Sequence, residues 1–198
     1  MRWGKHNSDM ASDDEFDEWL DCVRVVGNRI YYNGDITRDN ILTLNEELDK
    51  LSVKLLKLNA EYPDFEPVIK LYITSDGGDL YAGFSAMDMI RNNRVKIITI
   101  ADGCCASAAT FMLLGGHERH AHKHAQILIH QISSGSFWGK FEELKDEIQT
   151  CKKLMKTLKK IYTSNTNIPE DVYNNIMKRD VYLSADKCLE YDIVTKLL

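Results

Sequence analysis

Three short apolar runs, at 68–74, 95–101 and 125–130, constrain this chain more than any other feature, because stretches of helical periodicity separate them. Runs this short and rich in Val and Ile read as buried strands, and strands that alternate with helices imply parallel βαβ units. The helices are expected at about 80–92 and 107–115, with a long one at about 140–163. Upstream, Val23, Val25 and Val26, then Ile30, Tyr31 and Tyr32, flank Gly27-Asn28, the pattern of two strands around a turn, and Gly34 closes that unit. From Thr37, a predicted N-cap, apolar residues recur at Ile41, Leu44, Leu48, Leu51, Leu55 and Leu58, all on one face of a helix that ends before Pro63. Pro169 suits the first turn of a helix at about 169–178, and Ser184 caps a last short one before Ile193-Val194.

With 198 residues, 44% of them hydrophobic, the chain has enough apolar surface for one core and too little for two, so residues 22–198 are expected to form a single domain. Residues 1–21 carry Asp9, Asp13, Asp14, Glu15, Asp17, Glu18 and Asp21 with few apolar anchors, and are expected to be an acidic, mobile or partner-ordered arm. Acidic residues outnumber basic ones, 30 to 25, and the basic ones form no patch with interleaved aromatics, which argues against nucleic acid as a partner. An odd count of five cysteines with no C-x-x-C pair, and no apolar signal core, fits a reducing cytoplasm. No apolar stretch approaches the ~20 residues that cross a bilayer.

In parallel α/β sheets, sites collect beyond the C-terminal strand ends, where free N–H groups of helix N-termini point. Three segments meet that condition. The first strand runs into Ser75-Asp76-Gly77-Gly78, where paired glycines permit backbone approach that a side chain would block. The second runs into Asp102-Gly103-Cys104-Cys105-Ala106-Ser107, which places Ser107 at the start of the next helix, as an N-cap or as a hydroxyl facing an oxyanion site with the free Ala108 N–H. The third ends in His130, either a hydrogen-bonded structural residue or a base.

Taken together, residues 69–78, Gly103-Cys104-Cys105-Ala106-Ser107 and Leu128-Ile129-His130-Gln131 resemble, in order, the glycine-pair, serine and histidine motifs of the ClpP family, the proteolytic subunit of the Clp protease. Residues 179–185, from Arg179-Asp180 to Ser184-Ala185, resemble its aspartate motif, and the likeness extends over about 23–198. The resemblance implies an α/β, ClpP/crotonase-like fold of repeated ββα and βαβ units with a protruding strand–helix handle at about 133–163. It also implies a catalytic triad of Ser107 as nucleophile, His130 as general base and Asp180 as the group that orients the imidazole. Gly78 and Ala108 would supply the N–H groups of an oxyanion hole. Such chemistry uses a buried carboxylate to hold the tautomer, and needs no metal or cofactor in this subunit. Activity is expected to fall as acid protonates His130, because imidazolium cannot accept the serine proton.

On this resemblance the chain is a serine endopeptidase subunit acting on peptides or unfolded proteins, a homo-oligomer of heptameric rings stacked as a tetradecamer, with ATP consumed only by a separate AAA+ unfoldase. An apolar stripe at Leu144, Ile148, Cys151, Met155, Leu158 and Tyr162 suits the handle through which such rings meet. The chain departs from the family where unfoldase loops are gripped: Lys70 stands in place of an aromatic and Asp102 of an apolar residue, while Tyr72 and Leu198 are retained, so an AAA+ unfoldase stays a candidate partner whose standard docking these charges disfavour. Asp76, Ala108-Ala109 and Ile132 are further departures beside the motifs. An alternative within the peptidase class is a viral capsid-maturation protease of the same fold; alternatives of other classes are a non-catalytic ring subunit and a crotonase-type acyl-CoA enzyme. The alternating His120, His122 and His124, with His117, are expected on a solvated loop and not as a metal site, and Cys104 and Cys105 as buried packing.

Overall fold

Two antiparallel strands, β1 (Val23–Val26) and β2 (Arg29–Asn33), begin the described chain and turn at Gly27-Asn28 as the sequence predicts. The structure is a computed structural model that describes residues 22–133, 135 and 138–198, so the acidic segment 1–21 and positions 134, 136 and 137 of the expected handle lie outside the described residues. Helix α1 (Arg38–Glu61) follows, capped by Thr37, whose Oγ1 accepts the Asn40 N–H at 3.1 Å. Its buried residues Ile41, Leu44, Leu48, Leu51 and Leu55 are the apolar face read from the sequence.

The chain then alternates as expected: β3 (Val68–Ser75), α2 (Leu80–Arg91), β4 (Lys96–Ala106), α3 (Ala109–Gly115), β5 (Glu118–Ala121) and β6 (Gln126–Leu128). Long helix α4 (Phe141–Asn165), α5 (Glu170–Ile176), β7 (Tyr182–Ser184), α6 (Ala185–Glu190) and β8 (Lys196–Leu197) complete it. Among the described residues the sheet is mixed and runs β1-β2-β3-β4-β5-β8, with β3, β4 and β5 parallel. Strand β4 serves two neighbours in turn. Its first half pairs with β5, and its last residues, Cys104 to Ala106, pair with β6, which in turn pairs antiparallel with β7. This is the α/β architecture of repeated strand–helix units expected above.

Strand β4 is longer than the 95–101 predicted, because the segment beyond Ala101 bulges and rejoins the sheet: Ile73 pairs with Ala101, but Ser75 pairs with Cys105. Two further expectations are corrected. In the histidine segment His122 and His124 lie on a loop as expected, but residues 118–121 form β5, because β4, remote in sequence, offers a strand edge that local polarity cannot reveal. His120 is buried there, while His117 Nδ1 accepts the Ile97 N–H at 3.1 Å. The cysteines also divide: Cys105 is buried, whereas Cys104 is only partly so and its Sγ lies 3.1 Å from Asp76 Oδ1. Burial, then that carboxylate contact, raises the Cys104 thiol pKa.

Burial likewise lowers the pKa of His120 and outweighs Glu118, whose Oε2 sits 3.1 Å from Nε2 and pulls the other way, while Lys196 and Lys70 add to the lowering. A base whose pKa is depressed by folding binds protons better when unfolded, so its stabilising effect is present at neutral pH and is lost as pH falls through the imidazole range. His120→Gln is therefore expected to flatten the fall in urea-unfolding midpoint between about pH 7 and 5. An unchanged slope would remove His120 as its source.

Helix α4 spans 25 residues, roughly 37 Å at 1.5 Å per residue. Only its second half packs into the core, through Leu158 and Tyr162; in the first half Phe141 is 69% and Ile148 54% exposed. The apolar stripe thus continues past the core onto a projecting segment, as a handle would.

Candidate active site

The C-terminal ends of β3, β4 and β6 converge on one place. There Ser107 follows β4 directly, and its N–H donates to Leu128 O of β6 at 2.8 Å. Contrary to the expectation of a helix-start position, Ser107 adopts φ +54°, in the left-handed region, and the N-cap of α3 is Ala108. A non-glycine residue in that region is strained, and strain of this kind persists only where surroundings hold it. Here the turn is held from below: Thr110 Oγ1 donates to Ser107 O at 2.6 Å and shares a 2.6 Å hydrogen bond with the buried Tyr162 hydroxyl. The sharp strand-to-helix turn lifts the Ser107 hydroxyl out of the sheet edge and into a groove.

Gly77 and Gly78 lie across from that turn. A Cβ on Gly77 (φ +103°) would stand 2.6 Å from Ser107 Cβ, so the absence of a side chain is what lets the two loops touch. Gly78 is clamped instead by Ile36: the Ile36 N–H donates to Gly77 O at 2.8 Å and the Asp79 N–H to Ile36 O at 2.7 Å. That pairing leaves the Gly78 N–H unused, and the Ala108 N–H likewise donates to no acceptor among the described residues. Two free donors therefore flank Ser107, the arrangement that stabilises a developing oxyanion.

His130 stands two residues beyond β6, and its Nε2 is 2.8 Å from Ser107 Oγ. Strands β6 and β7 pair Gln126 with Ser184, Ile127 with Leu183 and Leu128 with Tyr182, and continuing that antiparallel register by two residues sets His130 opposite Asp180. Asp180 Oδ1 lies 3.2 Å from His130 Nδ1. The carboxylate is 79% exposed, however, not buried as the chemistry was expected to require, because it sits just before the three-residue β7 with, among the described residues, only His130 in ion-pair range. Its electrostatic pull on the ring is screened by solvent.

Sequence reasoning singled out five residues, and the fold brings Ser107, His130 and Asp180 into one line of contacts at 2.8 and 3.2 Å with Gly78 and Ala108 beside it. What it missed is the support: the Thr110–Tyr162 hydroxyl pair and the Ile36 clamp. Neither carries a sequence signal, since both contacts join elements far apart in the chain. A groove of about 310 Å³ runs from Gly78 and Ser107 past His130 to α4, floored by Phe111, Leu154 and Leu158. Among the described residues no group of three or more His, Cys, Asp or Glu side chains is arranged to hold a metal ion.

On the sheet surface, the positions singled out for unfoldase docking form a polar patch. Tyr31 and Tyr72 stack with centroids 4.9 Å apart, Tyr72 meets His122 edge-on at 6.1 Å, and His122 Nδ1 lies 3.0 Å from Asp102 Oδ1. Asp102 therefore does not enter an apolar pocket unpaired.

A family model described as Clp protease matches residues 28–198. Among curated relatives, the ATP-dependent Clp protease proteolytic subunit of Chaetosphaeridium globosum is 34% identical over 184 residues, covering 89% of this chain and 86% of the relative. Those of Epifagus virginiana and Adiantum capillus-veneris are 34% and 32% identical, each again over 89% of this chain and over 87% and 86% of the relatives.

Proposed function

The chain belongs to the Clp protease family, and on that premise we propose that it is a serine endopeptidase subunit that hydrolyses peptides or unfolded proteins through Ser107, His130 and Asp180. The observation that carries this reading is the short line from Ser107 Oγ to His130 Nε2, 2.8 Å, and from Nδ1 to Asp180 Oδ1, 3.2 Å. His130 takes the Ser107 proton as Oγ attacks the scissile carbonyl carbon, and the oxygen that becomes negative accepts from Gly78 and Ala108 N–H. His130 then returns the proton to the leaving amine, and water attacks the acyl-enzyme by the reverse sequence. No metal or nucleotide takes part in these steps.

We further propose that the subunits form stacked heptameric rings joined through α4. Its exposed Phe141, Leu144 and Ile148 favour this, since apolar side chains in such a row are costly to leave in water. A cytoplasmic location suits the free cysteines, of which Cys188 is pushed up to about 12 by burial and is inert. Among the described residues no helix is long and apolar enough to cross a membrane. The ATP dependence in the relatives' names would reach this chain only through a partner unfoldase, and the charged Lys70 and Asp102, with the polar His122, suit a more polar docking segment than an apolar loop.

Purified protein without ATP is expected to cleave a short fluorogenic peptide, and electron microscopy of the same sample to show stacked sevenfold rings. Monomers without peptidase activity would contradict both parts.

A further inference from the structure

The groove beside Ser107 is apolar along its floor but carries two carboxylates, Asp79 and Glu147, and no Lys or Arg among its lining residues. The two differ. Asp79 is occupied: Oδ1 accepts the Ala82 N–H at 2.8 Å as the cap of α2, and Oδ2 lies 3.9 Å from Arg38 Nε. Glu147 is partly buried, its nearest polar partner is the Cys151 thiol at 3.8 Å, and among the described residues no cation lies within ion-pair range of it. Elsewhere on the same helix some charges do pair, Glu142 with Lys145 at 2.9 Å and Lys159 with Glu170 of α5 at 2.6 Å. Lys152 and Lys156 line the adjoining hollow on the other side of Glu147, not this groove.

A partly desolvated carboxylate without a cation, set at the rim of an apolar channel, is matched by a side chain with a long aliphatic stem and a positive head. Resting on the peptidase reading above, we propose that Glu147 selects substrates carrying a lysine or arginine a few residues from the bond that is cut. The stem lies along the wall formed by Cys151 and Leu154, one and two turns further along α4, and the head meets the Glu147 carboxylate. Ile132, two residues past His130, lines the groove together with Glu147. Acidic side chains facing Glu147 are repelled.

The test uses the full-length assembled protein and a peptide series in which one residue at a time, on each side of the cut bond, is lysine, norleucine or glutamate. Wild type is expected to show kcat/KM about tenfold higher for lysine than for norleucine at one such position, the effect shrinking with added salt. Glu147→Gln should bring that ratio to about one, and Glu147→Lys should turn the preference towards glutamate. Because each ratio is taken within one variant, it does not depend on how much of a sample is folded. Equal rates for lysine and norleucine in wild type, or a lysine preference that survives in Glu147→Gln, would overturn the proposal while leaving the peptidase intact. Peptide cleavage that persists undiminished in Ser107→Ala, or no cleavage of any peptide, would instead overturn the peptidase reading and this proposal with it.

Discussion

Ser107→Ala is expected to lower kcat for peptide hydrolysis by on the order of 10⁶-fold, with the protein still assembled, because it removes the hydroxyl held 2.8 Å from His130 Nε2. His130→Ala should cost about as much, and the double variant no more than either alone, since nucleophile and base act as one unit. Asp180→Asn should cost less than the ~10⁴-fold seen when a buried triad carboxylate is changed. The reason is geometric: at 79% exposure Asp180 is screened, and only its 3.2 Å contact with His130 Nδ1 distinguishes it from solvent. Steady-state rates on one fluorogenic peptide measure all four variants. An Asp180→Asn loss as large as that of Ser107→Ala would mean that assembly buries this carboxylate.

Gly78→Ala is expected to be nearly as damaging by a different route. A Cβ there would overlap the Ile36 carbonyl, and the two backbone hydrogen bonds that clamp Ile36 to this loop leave neither side free to yield. The loop must shift, the strained φ of +145° adds about 1–3 kcal/mol, and the Gly78 N–H leaves the oxyanion position. Loss of one such donor costs ~10²–10³ in kcat. Gly27→Ala supplies the comparison, because nothing lies within 4 Å of a Cβ at that turn, remote from the groove; it should leave kcat unchanged. Denaturant midpoints and kcat on both variants separate a lost donor from a merely weakened fold, and equal kcat for Gly78→Ala and wild type would remove Gly78 from the site.

How much of this was legible in the sequence depends on whether a feature is local. The Ile41 to Leu55 face of α1, the Thr37 and Ser184 caps and the β3–α2–β4 alternation all follow from periodicity and capping chemistry within one segment, and they stand where expected. Ser107 was correctly located but given the wrong backbone, since a left-handed residue after a strand is set by Leu128 on β6 and Thr110 on α3, not by its neighbours in sequence. Strand β5 was missed because its polar, histidine-rich residues are strand only in company with β4. Asp180 is the clearest case. It reaches His130 through the register of β7, a strand of three residues that no period can reveal, and motif likeness alone pointed to it.

The exposed apolar half of α4 and Glu147 on its groove side belong to the same helix, so the proposed ring contact and the proposed substrate choice would be linked through it. A change that tilts α4 at the ring contact should therefore alter kcat/KM as well as oligomeric state.

The most direct measurement of the central claim is covalent trapping with a fluorophosphonate, followed by intact mass and peptide mapping. A nucleophile held 2.8 Å from its base should take one adduct per chain, on Ser107, and His130→Ala should take none on the same timescale. An adduct on a different residue, or an unlabelled Ser107 in a protein that still cleaves peptides, would contradict the account.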